Sequence, residues 1–144
     1  MNLVILESPL KGDYARNRAY ARACMLDSLK RGEAPFAGHL LYAQEGILDD
    51  TVLEQREMGI AAHLAWTGAA GLVAVYCDLG ISDGMTRGIE RAKERGISFT
   101  CRYGVWDKAE IDRWAEKEKE RQRRLAGCVF CGGPHMSALC TNYL

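Results

Sequence analysis

Gly71-Leu72-Val73-Ala74-Val75-Tyr76-Cys77, running into Asp78-Leu79-Gly80-Ile81-Ser82-Asp83-Gly84-Met85, is the stretch whose reading decides the fold. Its first half is continuous, apolar and rich in β-branched residues, and it stops abruptly in a polar loop that carries glycine. A strand buried on both faces loses the apolar–polar alternation of a half-wet one, so this is the pattern of a central parallel strand. Downstream, residues 84–95 read as a helix that Gly96 ends, and ISFTCRY (97–103) as another strand. Upstream, MNLVIL (1–6) is a short apolar run that breaks at Glu7-Ser8-Pro9, a buried first strand and its polar turn. From about Asp13 to Arg31, Ala15, Ala19, Ala23 and Leu26 recur at helical spacing, which predicts a helix lying close on a sheet and stopped at Gly32. APFAG (34–38) predicts a second strand, and residues 39–50 a loop in which Asp49, Asp50 and Thr51 are candidate caps for the next helix. That helix sets Leu53, Ile60, Ala61 and Leu64 on one face and runs to about Trp66. Strands and helices alternating at these lengths mean an α/β fold with a mostly parallel sheet.

The chain has 144 residues, a length that suits one compact domain with a small appendage. With 48% apolar and 26% charged residues it is not a disordered chain. Its 19 basic and 19 acidic side chains balance, which argues against strong, delocalised affinity for nucleic acid or acidic membranes. No apolar run approaches the ~20 residues of a bilayer-spanning helix. The N-terminus has no basic region ahead of its apolar run, so the expected location is the cytoplasm.

Beyond residue 106 the chain changes character. Asp107 and Glu110 make a capping-box-like pair, and Lys108 to Arg124 is mostly charged, with Ile111 and Trp114 as anchors. This predicts a solvated helix whose first turns pack on the domain. The expected division is therefore 1–106 for the α/β domain, 107–126 for the charged helix and 127–144 for a tail.

The six cysteines fall into two groups. Cys24, Cys77 and Cys101 sit in apolar patterns, where a small buried thiol is the ordinary expectation. Cys128-x2-Cys131-x3-His135-x4-Cys140 supplies three thiols and an imidazole, the ligand set of a structural tetrahedral zinc. Gly132, Gly133 and Pro134 would shape such a knuckle, and the tail has too few apolar residues to fold without help. A redox-active CxxC pair and a contact with a neighbouring chain are the alternatives. RQRR (121–124) beside Phe130 is a thin footprint for single-stranded nucleic acid.

In a parallel sheet, ligands bind beyond the carboxyl ends of the strands. The loops there are ESPLKGDYARN (7–17), FAGHLLY (36–42) and CDLGISDGM (77–85). Ser8 and Gly12 offer a hydroxyl and close backbone donors, and Arg16 and Asn17 follow early in the first helix. His39 follows a glycine at a strand end and is a candidate site residue, as is Asp78, whereas His63 inside a helix reads as structural. The glycines match neither GxGxxG nor a P-loop, so no organic cofactor is expected. Among the loop acids Asp49, Asp50, Glu57, Asp78 and Asp83, a pair with separated pKa values would serve glycosyl chemistry, but sequence alone cannot pair them.

The run from ESPLKGDYARN through PFAGHLLY and REMGIAAHLAW to VAVYCDLGISDGMTRGIERAKERGI resembles the nucleoside 2-deoxyribosyltransferase-like superfamily, in particular its small members common in phages and their hosts. It covers about residues 1–103. The resemblance implies a flavodoxin- or Rossmann-like three-layer sandwich, frequent homo-oligomers, and a crevice for a nucleoside or nucleotide. It puts Ser8 where the family turns under the base or sugar, and Ser82, Gly84 and Met85 near the reacting sugar. It also implies a glutamate nucleophile on the helix that follows, at the position of Gly88. Glycine cannot attack an anomeric carbon, and Glu90, the nearest carboxylate, points about 200° away around the helix. The expected function is therefore binding of a nucleoside, nucleotide or related ribosyl ligand without covalent deoxyribosyl transfer. The alternatives are an N-glycosidic hydrolase or transferase with rearranged acids, Asp83 or Glu57 acting as base, and an adaptor working through the C-terminal helix and tail.

Overall fold

β1 (Asn2–Glu7) and β3 (Leu72–Tyr76) are the most apolar strands, and they lie side by side at the centre of the sheet. The computed structural model describes residues 1–126. Within that span a four-stranded, wholly parallel sheet runs in the order β2-β1-β3-β4, with β2 at Glu33–Phe36 and β4 at Ser98–Arg102. Pro35 sits in β2, an edge strand, where its missing donor costs no ladder bond on the open side.

Strand alternation sorts the core into two halves. Val4, Leu6, Ala74 and Tyr76 point to one face, under α1 (Tyr14–Lys30) and α5 (Lys108–Ala126). Ile5, Val73, Val75 and Cys77 point to the other, under α4 (Asp83–Glu94), with Phe36 packed against them. Each such aliphatic side chain contributes ~1.5–3 kcal/mol by leaving water. α1 approaches the sheet closely because its inward positions include Ala15, Ala19 and Cys24, around a fully buried Tyr20. Asp13 caps it, Oδ1 accepting from the Arg16 amide at 3.1 Å. Gly32, with φ +76°, lets the chain turn out of the helix into β2.

The structure departs from the sequence expectation in four places. Residues 39–50 are not all loop: α2 (Gly38–Tyr42) forms there, one turn that tucks Leu40 against the core. α3 (Leu53–Ala65) starts from Val52 with no side-chain cap. Asp49 instead closes its own turn onto the Thr51 amide and hydroxyl at 2.9 and 2.6 Å, and Asp50 accepts from Arg56 Nη1 at 2.7 Å. Cys101 is exposed, unlike buried Cys24 and Cys77, because its side chain falls on an outer position of edge strand β4. α5 docks further than its first turns. Ile111, Ala115 and Glu118 are all buried along α1, and Arg22 Nη1 reaches Glu118 Oε2 at 3.2 Å. No helix among the described residues is long and apolar enough to cross a membrane.

Candidate functional site

The sheet order reverses between β1 and β3, and a crevice whose enclosed space is about 70 Å³ lies outside their carboxyl ends. Glu7 and Ser8 enter it from the end of β1, Gly38 and His39 from the start of α2, Arg56 and His63 from α3, and Ser82, Gly84 and Met85 from the start of α4. Ser82 is held there as the cap of α4, accepting from the Met85 amide at 3.4 Å.

The floor is built by strand alternation. Glu7 follows Ile5 by two residues, so its side chain lies on the α4 face of the sheet. It is 5% exposed, and its Oε1 stands 2.8 Å from His63 Nε2. The other ring nitrogen, Nδ1, lies 3.1 Å from the Gly38 amide. A backbone N–H can only donate, so Nδ1 accepts, Nε2 carries the proton and His63 donates to Glu7 as a neutral imidazole. Phe36 stacks on the His63 ring, with 5.9 Å between centroids and 15° between planes.

Two glycines make room for this pair. A Cβ on Gly38 would sit 2.4 Å from His63 Nδ1, and one on Gly88 would sit 1.9 Å from Glu7 Oε1. Both gaps are far below van der Waals contact, so the ring and the carboxylate occupy space that any other residue at 38 or 88 would fill.

Beside the pair, Ser8 Oγ and His39 Nε2 are 2.8 Å apart. Burial, with His63 as a neighbour, pushes the His39 imidazole down to about 3, so it is neutral at neutral pH. At the rim, Asp50 takes Arg56 Nη1 at 2.7 Å and the Tyr14 hydroxyl at 3.1 Å. Burial and the Asp50 carboxylate together raise the Tyr14 hydroxyl above its usual range.

The structure brings together five of the residues expected from sequence: Ser8, His39, Ser82, Gly84 and Met85 all line the crevice. Four others lie elsewhere. Asn17 is buried and ties down the β1–α1 loop, donating to the Leu10 and Lys11 carbonyls at 3.0 Å each. Arg16 folds onto Asn17 Oδ1, and Gly12, at φ +106°, makes an exposed turn. Asp78 is a clamp: it accepts from Tyr20 Oη at 3.0 Å and from the Gly104 and Val105 amides at 2.8 and 3.2 Å. Neither candidate base lines the crevice. Asp83 is exposed at the first turn of α4, and Glu57 is exposed and paired with Arg87 at 2.8 Å. Sequence reading missed Glu7 as a site residue and assigned His63 to structure alone. The signal was there in Glu7, a charge in register with Ile5 at the carboxyl end of a buried strand.

The expectation of a zinc or other metal-binding site is corrected. Among the described residues, no group of three or more His, Cys, Asp or Glu side chains could hold a metal ion. The physical reason is that no third ligand joins any pair: Cys24 lies on the inner face of α1, Cys77 just past β3 has only Cys101 of β4 beside it, and the acids of the crevice are engaged singly with His63 or Arg56. Cys128, Cys131, His135 and Cys140 lie outside the described residues, as does Phe130.

A family model described as a domain of unknown function, DUF7768, matches residues 2–102, from the first residue of β1 to the last of β4. The chain belongs to the DUF7768 family. The DUF7768 match takes in the whole sheet and every residue that lines the crevice, and leaves out α5. Among curated proteins, none matches this DUF7768 chain in sequence.

Proposed function

We propose that the crevice binds a nucleoside, a nucleotide or a related ribosyl ligand, and that the domain is a flavodoxin-like, three-layer member of the nucleoside 2-deoxyribosyltransferase-like superfamily. The observation that carries this reading is the convergence of Ser8, His39, Ser82, Gly84 and Met85 from three separate loops into one crevice. The strand order 2-1-3-4 and helices on both faces support the fold assignment. The lining supports the ligand class. Leu10, Leu48 and Ile60 offer an apolar wall to a base, while Ser8, Gln55 and Ser82 offer donors and acceptors to sugar hydroxyls. Arg56, at the mouth, suits a 5′-phosphate.

Thermal denaturation of the full chain against nucleosides, 2′-deoxynucleosides and their 5′-monophosphates tests the reading. At least one compound is expected to raise Tm by a few degrees at saturating concentration. Ser8→Ala and Ser82→Ala should each shrink that shift. No stabilisation by any of them defeats the proposal. The homo-oligomer that belongs to the same reading is checked by sedimentation of the same sample.

A further inference from the structure

Glu7 is a buried carboxylate whose charge nothing nearby cancels. His63 donates one hydrogen bond to Oε1 but is neutral, because its Nδ1 is occupied by the Gly38 amide. Arg56, the cation of the crevice, is engaged with Asp50. Among the described residues Oε2 has no protein donor, and it is not sealed off: the side chain lines the crevice. A buried carboxylate normally gathers two or three donors, since an unpaired charge out of water costs several kcal/mol. Retaining one half-satisfied, oriented by an imidazole that Gly38 admits and wedged into space cleared by Gly88, is the arrangement of a reactive group.

We infer that Glu7 is the general base of an N-glycoside hydrolysis in this crevice, with His63 as its positioning residue. The inference rests on the ribosyl-ligand reading above. Glu7 Oε2 accepts a proton from water as the water oxygen forms a bond to the anomeric carbon. The bond from that carbon to the base nitrogen breaks, and its electron pair leaves with the nucleobase, which takes a proton from solvent. Release of the Glu7 proton to solvent restores the carboxylate. Nucleoside and water become free sugar and free base, with no other reactant. His63 holds Oε1, so that Oε2 alone is presented. The glycine at 88, which removes a carboxylate from α4, is also what admits this one from β1.

The test uses the full chain with the same panel of nucleosides and nucleotides, read by chromatography of released base and by thermal shift. Wild type is expected to release base from at least one compound. Glu7→Gln should lose the rate by a hundredfold or more while keeping its ligand-induced shift. Glu7→Asp, which keeps the charge but withdraws it, should fold and lose most of the rate. Glu57→Gln and Asp83→Asn should keep it. In ¹⁸O-labelled water the label is expected on the sugar, and the quenched protein should carry no sugar mass. Stabilisation without base release in wild type overturns the catalytic role of Glu7 and leaves the binding reading standing. Base release that survives in Glu7→Gln, or a sugar adduct on the protein, overturns it as well. No stabilisation and no release by any compound defeats the binding reading and this inference with it.

Discussion

Two glutamates on opposite faces of one sheet have opposite surroundings. Glu33, at the start of β2, accepts from Arg102 Nη2 at 2.6 Å on Oε1, and from Arg102 Nη1 and Ser28 Oγ at 2.8 and 2.6 Å on Oε2. Arg102 also donates to Tyr76 Oη at 3.0 Å, and that hydroxyl donates to Asp27 Oδ2 at 2.8 Å, beneath α1. Glu7, at the end of β1, has one neutral donor and an open oxygen. Where both oxygens are spent on a cation and a hydroxyl, the carboxylate belongs to the fold. Where one is left facing a crevice, it is available to a ligand. The difference lies in partners, not in burial, since both side chains are largely out of water.

Breaking the two sites should therefore cost stability unequally. Arg102→Met leaves Glu33 without its cation and Tyr76 Oη without its donor, and a loss of about 3–5 kcal/mol is expected in urea denaturation. Glu7→Gln keeps the shape and removes an uncancelled charge, so it is expected to be neutral or stabilising. Equal losses from both would erase the contrast.

Gly88→Ala attacks the crevice glutamate from the other side. Its Cβ would require Glu7 to leave His63, for an expected loss of about 1–3 kcal/mol. In a Glu7→Ala background the same substitution should cost much less. A double-mutant cycle showing no coupling would mean that the carboxylate moves aside freely.

Acid separates the sites next. The hydrogen bond from Arg102 holds the Glu33 carboxyl below its usual range. Its contribution is thus complete above the ordinary glutamate pKa and lost as pH falls through the lower, folded value. Glu33→Gln should be less stable at pH 7 and flatter below about pH 4. His39 acts in a different window. With a folded value of about 3, it stays neutral in the native state while the unfolded chain takes up a proton below about 6.5. Stability then falls with falling pH between those values, by at most ~1.4 kcal/mol per pH unit, and His39→Gln should remove that slope. The measurement is the urea midpoint of each variant across pH 3–7.

The smallest effect belongs to a carboxylate outside both sites. Glu57 is exposed and pairs with exposed Arg87, so Glu57→Gln is expected to change stability by a few tenths of a kcal/mol. A large loss there would show that the surface of α3 and α4 is coupled to the crevice.

Much of this architecture was legible before folding. The continuous run Leu72–Tyr76, the helical alanines of α1 and the glycine stops are local signals, and local signals survive in sequence. So were the loops that meet at the crevice, because a parallel sheet dictates where its strands end. The acids were not legible. Asp49 and Asp50 look alike as caps, yet one closes a turn on Thr51 and the other reaches Arg56. Asp78 looks like a ligand residue, yet it is spent on the amides of Gly104 and Val105, which only the β3–β4 pairing brings near. α2 was missed because a single helical turn carries no period to read.

The sequence by itself determined an α/β chain with a parallel sheet, the ends of its strands, and the absence of a carboxylate at 88. From that absence alone, covalent deoxyribosyl transfer looked excluded, and the acids left to consider were Asp83 and Glu57. Only the tertiary structure decided that the space left at Gly88 holds the carboxylate of Glu7, oriented by His63. The physical reason is that a side chain's position belongs to the packing. Gly88 on a helix and Glu7 at a strand end are far apart along the chain, yet the space the glycine leaves and the carboxylate that fills it are one volume when the helix lies across the sheet.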